Sequence, residues 1–361
     1  MSSSDHLTRI LELARWAPSG DNTQPWRFER VGPSEVVIHG FDTRTHCVYD
    51  LDGRWSQISL GALLETIDIA ASAEGLVVAS ERDTSASDAE PIFRLNFRAV
   101  PSMATSPLVP MIQMRSVQRR SFKTRPLTPE QRQQMSDAVG PEYQIQWLEG
   151  FGLRLRTALL MFHAAKLRLT THEAYAVHRE VIEWNAQFSE DKVPDQSLGL
   201  DALTLLMMKL AMESWGRLRF FNRFLAGTWA PRIQLDLMPS IACAAHFVIC
   251  ARTPPDSVDD YVKAGRAMQR SWLTATLLGL QLQPEFTPLV FARYAREGRQ
   301  FSTSPGSFGR AQDTAARLGA LLGSDAAERA VVMGRIGTGL QPRSRSTRRS
   351  LADLTLHGQT D

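Results

Sequence analysis

Residues 17–28 read Ala-Pro-Ser-Gly-Asp-Asn-Thr-Gln-Pro-Trp-Arg-Phe, so Pro18, Ser19, Gly20, Asn22 and Gln24 lie together just ahead of Trp26. Hydroxyl and amide groups at this density offer hydrogen-bond donors and acceptors to a polar, planar ligand, although an ordinary helix-to-strand loop draws on the same residue types. A second group is Arg119-Arg120-Ser121-Phe122-Lys123, in which alternation along an extended segment puts Arg119, Ser121 and Lys123 on one side. Two cations and a hydroxyl suit a dianionic phosphate, while a solvated basic run has the same composition. A third is Arg343, Arg345, Arg348 and Arg349 near the end of the chain, which fits either phosphate binding or a loose basic tail.

The elements around these groups follow from periodicity. Leu7, Ile10, Leu11 and Ala14 recur at helical spacing over residues 5–16, and Pro18 ends that helix. Residues 26–31 and 36–41 alternate as two strands around a Gly32-Pro33 turn. Residues 59–70 carry Leu60, Leu63, Leu64 and Ile67 on one helical face, and strands follow at 76–79 and 92–100. Residues 101–110, rich in Pro, Ser and Thr, read as a linker. Beyond it come a mostly helical stretch over about 150–240, a buried strand over 241–251, a long helix over 260–280 and a buried strand over 330–337.

The order Ala-Pro-Ser-Gly-x-Asn-x-Gln-Pro-Trp, followed by a hairpin, closely resembles the loop that flavin-dependent nitroreductases place against FMN. Arg119-Arg120-Ser121-Phe122-Lys123 resembles the Arg-x-Ser-x-Lys/Arg segment that opens that family's fold. The resemblance implies that Pro18, Ser19, Gly20, Asn22 and Gln24 approach the flavin, and that Arg119, Ser121 and Lys123 hold its phosphate and ribityl hydroxyls. It further implies that backbone groups at Pro284 and Glu285 face the flavin N5 edge, and that Arg348 reaches the phosphate from the closing segment. FMN is then the cofactor, NADH or NADPH the reductant and an electron-poor small molecule the acceptor, with no side chain required as acid or base.

In the family each subunit carries both motifs, whereas here the loop occurs near residue 20 and the Arg-Ser-Lys segment near residue 120. That division is similar to the double-length, Acg-like group of the family. The expected fold is α+β and nitroreductase-like: two fused half-folds, residues 1–105 and 106–361, form an intramolecular pseudo-dimer with a helical insertion at about 150–240. The insertion, which contains Trp184, Asn185, Gln187 and Phe188, reads either as a lid over the flavin or as extra packing around a small sheet. Because some Acg-like proteins hold flavin without robust turnover, a flavin-storage protein is the alternative reading.

Composition narrows the partners. With 41 basic against 38 acidic residues the net charge of +3 gives no ground for a nucleic-acid partner, and 43% hydrophobic with 22% charged residues suits a globular chain. Cys47, Cys243 and Cys250 have neither zinc nor disulfide spacing, which fits a reducing cytoplasm. The N-terminus lacks a basic-then-apolar leader and the apolar run at 241–251 is too short to span a bilayer, so no membrane partner is expected. His172-Glu173 does not make a zinc-protease helix, because the next histidine, His178, is six residues on. Gly334, Gly337 and Gly339 have the wrong order for a dinucleotide loop and read as a strand exit.

Overall fold

The computed structural model describes residues 3–224 and 227–356. Helix α1 (Ser3–Ala14) buries Leu7, Ile10, Leu11 and Ala14 along one face. Strands β1 (Trp26–Arg30) and β2 (Glu35–Gly40) then form the first hairpin. The carboxylate of Asp50 accepts from the backbone amides of Trp55 and Ser56 and so caps the following helix, α2 (Arg54–Ser72). That helix is buried on nearly every side, as befits one enclosed by protein. Strands β3 (Leu76–Asp83) and β4 (Ile92–Ala99) complete an antiparallel sheet in the order β1-β2-β4-β3.

A second antiparallel sheet is built from later segments. It begins with β5 (Tyr143–Glu149), after which the chain leaves through helices α3 (Gly150–Thr170), α4 (His172–Val181), α5 (Ala202–Met212) and α6 (Trp215–Phe224). It returns as β6 (Ala245–Ala251), the long helix α7 (Val258–Leu277), β7 (Gln281–Pro284), helices α8 (Thr287–Arg296) and α9 (Ser307–Leu322), and β8 (Ala330–Gly337). The strand order is β7-β8-β6-β5. The chain is therefore α+β, as expected.

One part of the 150–240 stretch departs from the helical expectation. Between α4 and α5 the chain is extended, with two-residue strands at Ile182–Glu183, Phe188–Ser189 and Val193–Pro194. Pro194 cannot donate to a helix, and the Asp195 carboxylate instead accepts the backbone amides of Asn185 and Ala186, closing a loop.

Helices α2 and α7 join the two sheets. They cross at Gly61 and Gly265, where a Cβ on Gly61 would lie 1.9 Å from the Val262 carbonyl oxygen and one on Gly265 would lie 2.0 Å from that of Ile58. Each helix contributes to both cores: Ile58 and Ala62 of α2 pack with the second sheet, while Val262 and Leu273 of α7 pack with the first. Polar contacts flank the crossing, with Arg270 pairing Glu65 at 2.8 Å and the Gln269 amide donating to Thr66 Oγ1 at 2.9 Å. Past β8 the chain crosses back to the first sheet, where Thr355 bridges to Phe28, the Leu356 amide donates to the Phe28 carbonyl, and Leu354 is fully buried.

Gly265→Val places carbon where a backbone carbonyl already lies, so the helices must separate. We expect it to lower unfolding free energy by about 1–3 kcal/mol or more, read as a lowered urea midpoint, with Gly279→Ala in the exposed turn after α7 costing less.

Candidate functional site

A cavity of ≈ 310 Å³ lies where the loop after α1, the start of α2, the middle of α7, the extended segment at 115–119 and the closing segment at 345–348 meet. That volume is at the lower end of the ~300–1,000 Å³ typical of small-molecule sites. Trp55 and Ile58 from α2, Met268 and Trp272 from α7, and Pro284 and Phe286 after β7 supply an apolar wall.

The polar wall begins with residues 18–22. Asp21, Asn22 and Gln24 all adopt positive φ, at 47°, 64° and 49°, which L-residues with side chains rarely do. Strain of this kind persists only where surrounding contacts fix it, and here they do. The Gln24 amide donates to the carbonyls of Asn22 and Glu190, and its oxygen accepts the Arg349 amide at 3.0 Å. Gln24 is thus a staple joining three segments, and it does not line the cavity as expected. Pro18, Ser19, Gly20 and Asn22 do line it. Ser19 Oγ accepts the Gln24 amide, which leaves its O–H to donate, while Asn22 donates to the Lys192 carbonyl and its buried Oδ1 has no protein partner.

The cations are arranged differently from the sequence expectation. Arg115, Ser116, Val117 and Arg119 line the cavity, with Val117 bridging to Leu282 of β7. By Ser121 the segment has run past the cavity, so Ser121 and Lys123 are exposed to solvent and neither contributes to it. The stretch that does reach the cavity begins four residues earlier, at Arg115. Arg345 and Arg348 arrive from the closing segment, Arg348 held by its Nε donating to the Ala17 carbonyl at 2.9 Å. The Arg115 guanidinium lies 4.5 Å over the Trp272 ring and donates to the Trp16 carbonyl, and its buried Nε has no partner.

Burial and the charges of Arg348 and Arg345 hold Arg115 well below its ordinary pKa. Burial, Arg345 and Arg15 bring Arg348 down to about 9. Burial also lowers Arg119 to about 10, with Asp21 opposing and Arg168 and Arg335 adding to the depression. All three remain protonated at neutral pH. Burial is the largest cause in each case, and a phosphate placed among these guanidiniums would favour their charged forms.

At another part of the wall, Tyr49, Arg168 and His178 were not anticipated. Tyr49 and His178 share a hydrogen bond of 3.0 Å, and burial with the Arg168 charge lowers His178 to about 3, so its imidazole is neutral. Arg168 pairs with Asp236 at 2.8 Å. Burial raises the Asp21 carboxyl, against the pull of Arg119 and Arg168. These residues come from α3, α4 and the segment before α2, and no motif links them in the sequence. The inner face of the expected lid is also different: Val193 and Ser197 line the cavity, whereas Trp184, Asn185, Gln187 and Phe188 do not.

Glu285 also departs from its expected role. Its amide already donates to the Met333 carbonyl at 2.8 Å, so it is not free for a ligand. Its carboxylate is buried against His246 Nδ1 at 2.7 Å and Arg335 Nε at 3.7 Å. Arg335 in turn donates to the carbonyls of Arg119 and Arg120 and lies over the Phe122 ring, fixing the strand that presents Arg119. Pro284, one residue earlier, does line the cavity.

The residues present fit FMN: a cluster of guanidiniums short of an anion for the phosphate, an apolar wall for a flat ring, and unpartnered amide oxygens of Asn22 and Gln283 for polar edges.

No family model matches the chain. Among curated proteins it is similar to Uncharacterized protein MT1398 of Mycobacterium tuberculosis (strain CDC 1551 / Oshkosh), with 22% identity over 286 residues, or 79% of this chain and 39% of that protein. The chain thus spans about two fifths of that relative's length. Among solved structures, its elements are arranged similarly to those of a nitroreductase-like family protein from Bacillus cereus, at TM-score 0.35 and 11% identity over 70% of this chain and 97% of the other. A nitroreductase with bound FMN from Bacteroides fragilis NCTC 9343 gives 0.37 and 8%, over 71% and 98%. The FMN-dependent nitroreductase NfnB from Mycobacterium smegmatis in complex with NADPH gives 0.38 and 14%, over 69% and 96%.

Burial disfavours the His246 imidazolium, but Glu285 and the neighbouring Cys243 outweigh it and raise its pKa to about 10. A folded-state value above the ordinary 6.5 contributes stability that is complete below pH 6.5 and is lost as pH rises through about 10. Urea midpoints across that window should fall, and Glu285→Gln should flatten the dependence. Glu285→Ala, which strands a buried cation, should cost about 3–5 kcal/mol.

Proposed function

We propose that this chain is an FMN-dependent oxidoreductase of the nitroreductase type, reduced by NADH or NADPH and passing electrons to an electron-poor small molecule. The observation that carries the reading is the cavity's pairing of three depressed guanidiniums, Arg115, Arg119 and Arg348, with an apolar wall and a strained polar loop. When bound, FMN supplies reversible hydride chemistry. Arg115, Arg345 and Arg348 neutralise its phosphate, Ser19 and Asn22 offer a donor and an acceptor to its polar edges, and the Trp55 to Trp272 wall excludes water from the ring. Pro18, Gly20 and Pro284 shape the slot, with Arg119 as a further cation.

In this reading the seam between residues 1–105 and 106–361 does the work of a subunit interface, as in the double-length, Acg-like group. The loop at 18–24 comes from one side and the arginines at 115–119 and 345–348 from the other. One observation favours the storage alternative. The 182–200 segment is tied over the cavity by its carbonyls, Glu190 accepting from Gln24 and Lys192 from Asn22 and Ser346.

The purified protein should be yellow or turn yellow with added FMN. Arg115→Ala and Arg348→Ala should each raise the FMN dissociation constant roughly tenfold to a hundredfold, and Lys123→Ala should leave it unchanged. A protein that stays colourless in excess FMN, or a loss confined to Lys123→Ala, sinks the assignment.

Catalysis and storage separate in an anaerobic stopped-flow trace. Bleaching by NADH or NADPH within seconds is expected of the oxidoreductase, whereas bleaching by dithionite alone identifies a storage protein.

A further inference from the structure

Helix α5 has the sequence ALTLLMMKLAM, a single charge at Lys209, and only Ala211 and Met212 buried. Leu203, Leu206, Met207 and Leu210 fall at positions i, i+3, i+4 and i+7, so they form one stripe, and they are 69%, 54%, 37% and 39% exposed. Helix α6, packed beside it, buries no residue at all. It presents Phe220 and Phe224, in contact at 5.1 Å, together with Arg219 and Arg223 one position before each. Arg217 pairs with Glu213, but among the described residues Arg219 and Arg223 have no acidic partner.

A continuous aliphatic stripe beside aromatic rings and uncompensated arginines has the composition of a surface that lies in the headgroup region of a bilayer. We propose that the α5–α6 pair docks this chain onto an anionic lipid surface. The absence of a membrane partner was expected because no stretch is long enough to span, and no helix of the described residues is long and apolar enough to do so. Interfacial docking has no such length requirement: an 11-residue helix is only about 16 Å long against a hydrocarbon core of about 30 Å. A second copy of the chain is a poorer occupant, because a two-fold contact through the same patch gathers the uncompensated α6 arginines of both copies into one interface. Lipid phosphates meet them with opposite charge.

The patch also packs against α4, a helix that lines the cavity. The Tyr175 hydroxyl of α4 donates to the Met212 carbonyl, and the Trp215 ring packs on Tyr175 at 5.4 Å, while His178 of the same helix lines the cavity. Docking therefore brings α4, which lines the cavity through His178, close to the membrane.

The test is flotation of the full chain with vesicles of equimolar phosphatidylglycerol and phosphatidylcholine, and with phosphatidylcholine alone. The chain should float with the first and far less with the second. Arg219→Gln with Arg223→Gln should lower partitioning roughly 30-fold, and Leu206→Gln should lower it severalfold. All these side chains are exposed, so an unchanged thermal midpoint verifies folding. Failure to float with either vesicle, or equal flotation with both, overturns the proposal. So does a chain that runs as a dimer, is made monomeric by Leu206→Gln and ignores vesicles, since the face then belongs to a second copy. Flotation requires neither flavin nor reductant, so its failure is distinct from failure of the redox reading.

Discussion

The contact on which the arrangement depends is the backbone-to-backbone crossing of α2 and α7 at Gly61 and Gly265. With no side chain at either position, each helix carries residues into both cores, and two small sheets become one molecule. The crossing also determines what can face the seam. On either side of it, α2 offers Trp55, Ile58 and Ser59 to the cavity and α7 offers Met268 and Trp272. A wider separation at the glycines would move these walls apart and remove the slot, so the cavity is a consequence of helix packing as much as of the polar loops.

Much of the scaffold was legible because periodicity is local. The spacing of Leu7, Ile10, Leu11 and Ala14, the alternation in β1 and β2, and the buried run ending at Ala251 each fix an element from a few neighbouring residues. The polar loop was legible for the same reason, as Pro18, Ser19, Gly20 and Asn22 reach the cavity together. What could not be read depends on residues far apart. Gly61 and Gly265 are separated by 204 positions, and neither is marked as a contact. Arg115 sits just after a short helix, Met111–Met114, where nothing in its neighbours distinguishes a cavity arginine from a surface one.

Two of the four expected site residues that do not line the cavity, Gln24 and Glu285, share a physical explanation. Gln24 and Glu285 lie within segments that do reach the cavity, but their polar atoms are consumed by the protein's own backbone and ion pairs. A segment can be placed from its pattern, whereas the direction in which each side chain spends its hydrogen bonds depends on what arrives from elsewhere in the fold. Here that is the Glu190 and Arg349 backbone for Gln24, and His246 with Arg335 for Glu285. Both residues are still tied to the site, since Gln24 fixes the strained loop and Glu285 steadies the arginine that holds the Arg119 carbonyl.

The folded chain therefore carries two unrelieved costs at one place. Positive φ at three non-glycine residues costs of order 1–3 kcal/mol each, and the guanidiniums of Arg115 and Arg348 repel one another with little water to screen them. Among the described residues no acid pairs with Arg115 or Arg348, and Asp21, an acid on the cavity wall, interacts with Arg119 and Arg168 instead. A ligand whose anionic group meets the arginines removes the repulsion, and one whose hydroxyl or N–H reaches Asn22 Oδ1 gives that oxygen a donor, so ligand occupancy and the stability of the seam are thermodynamically linked. The same crowding of cations makes the site selective, since a neutral molecule of the same shape leaves the repulsion between the guanidiniums in place.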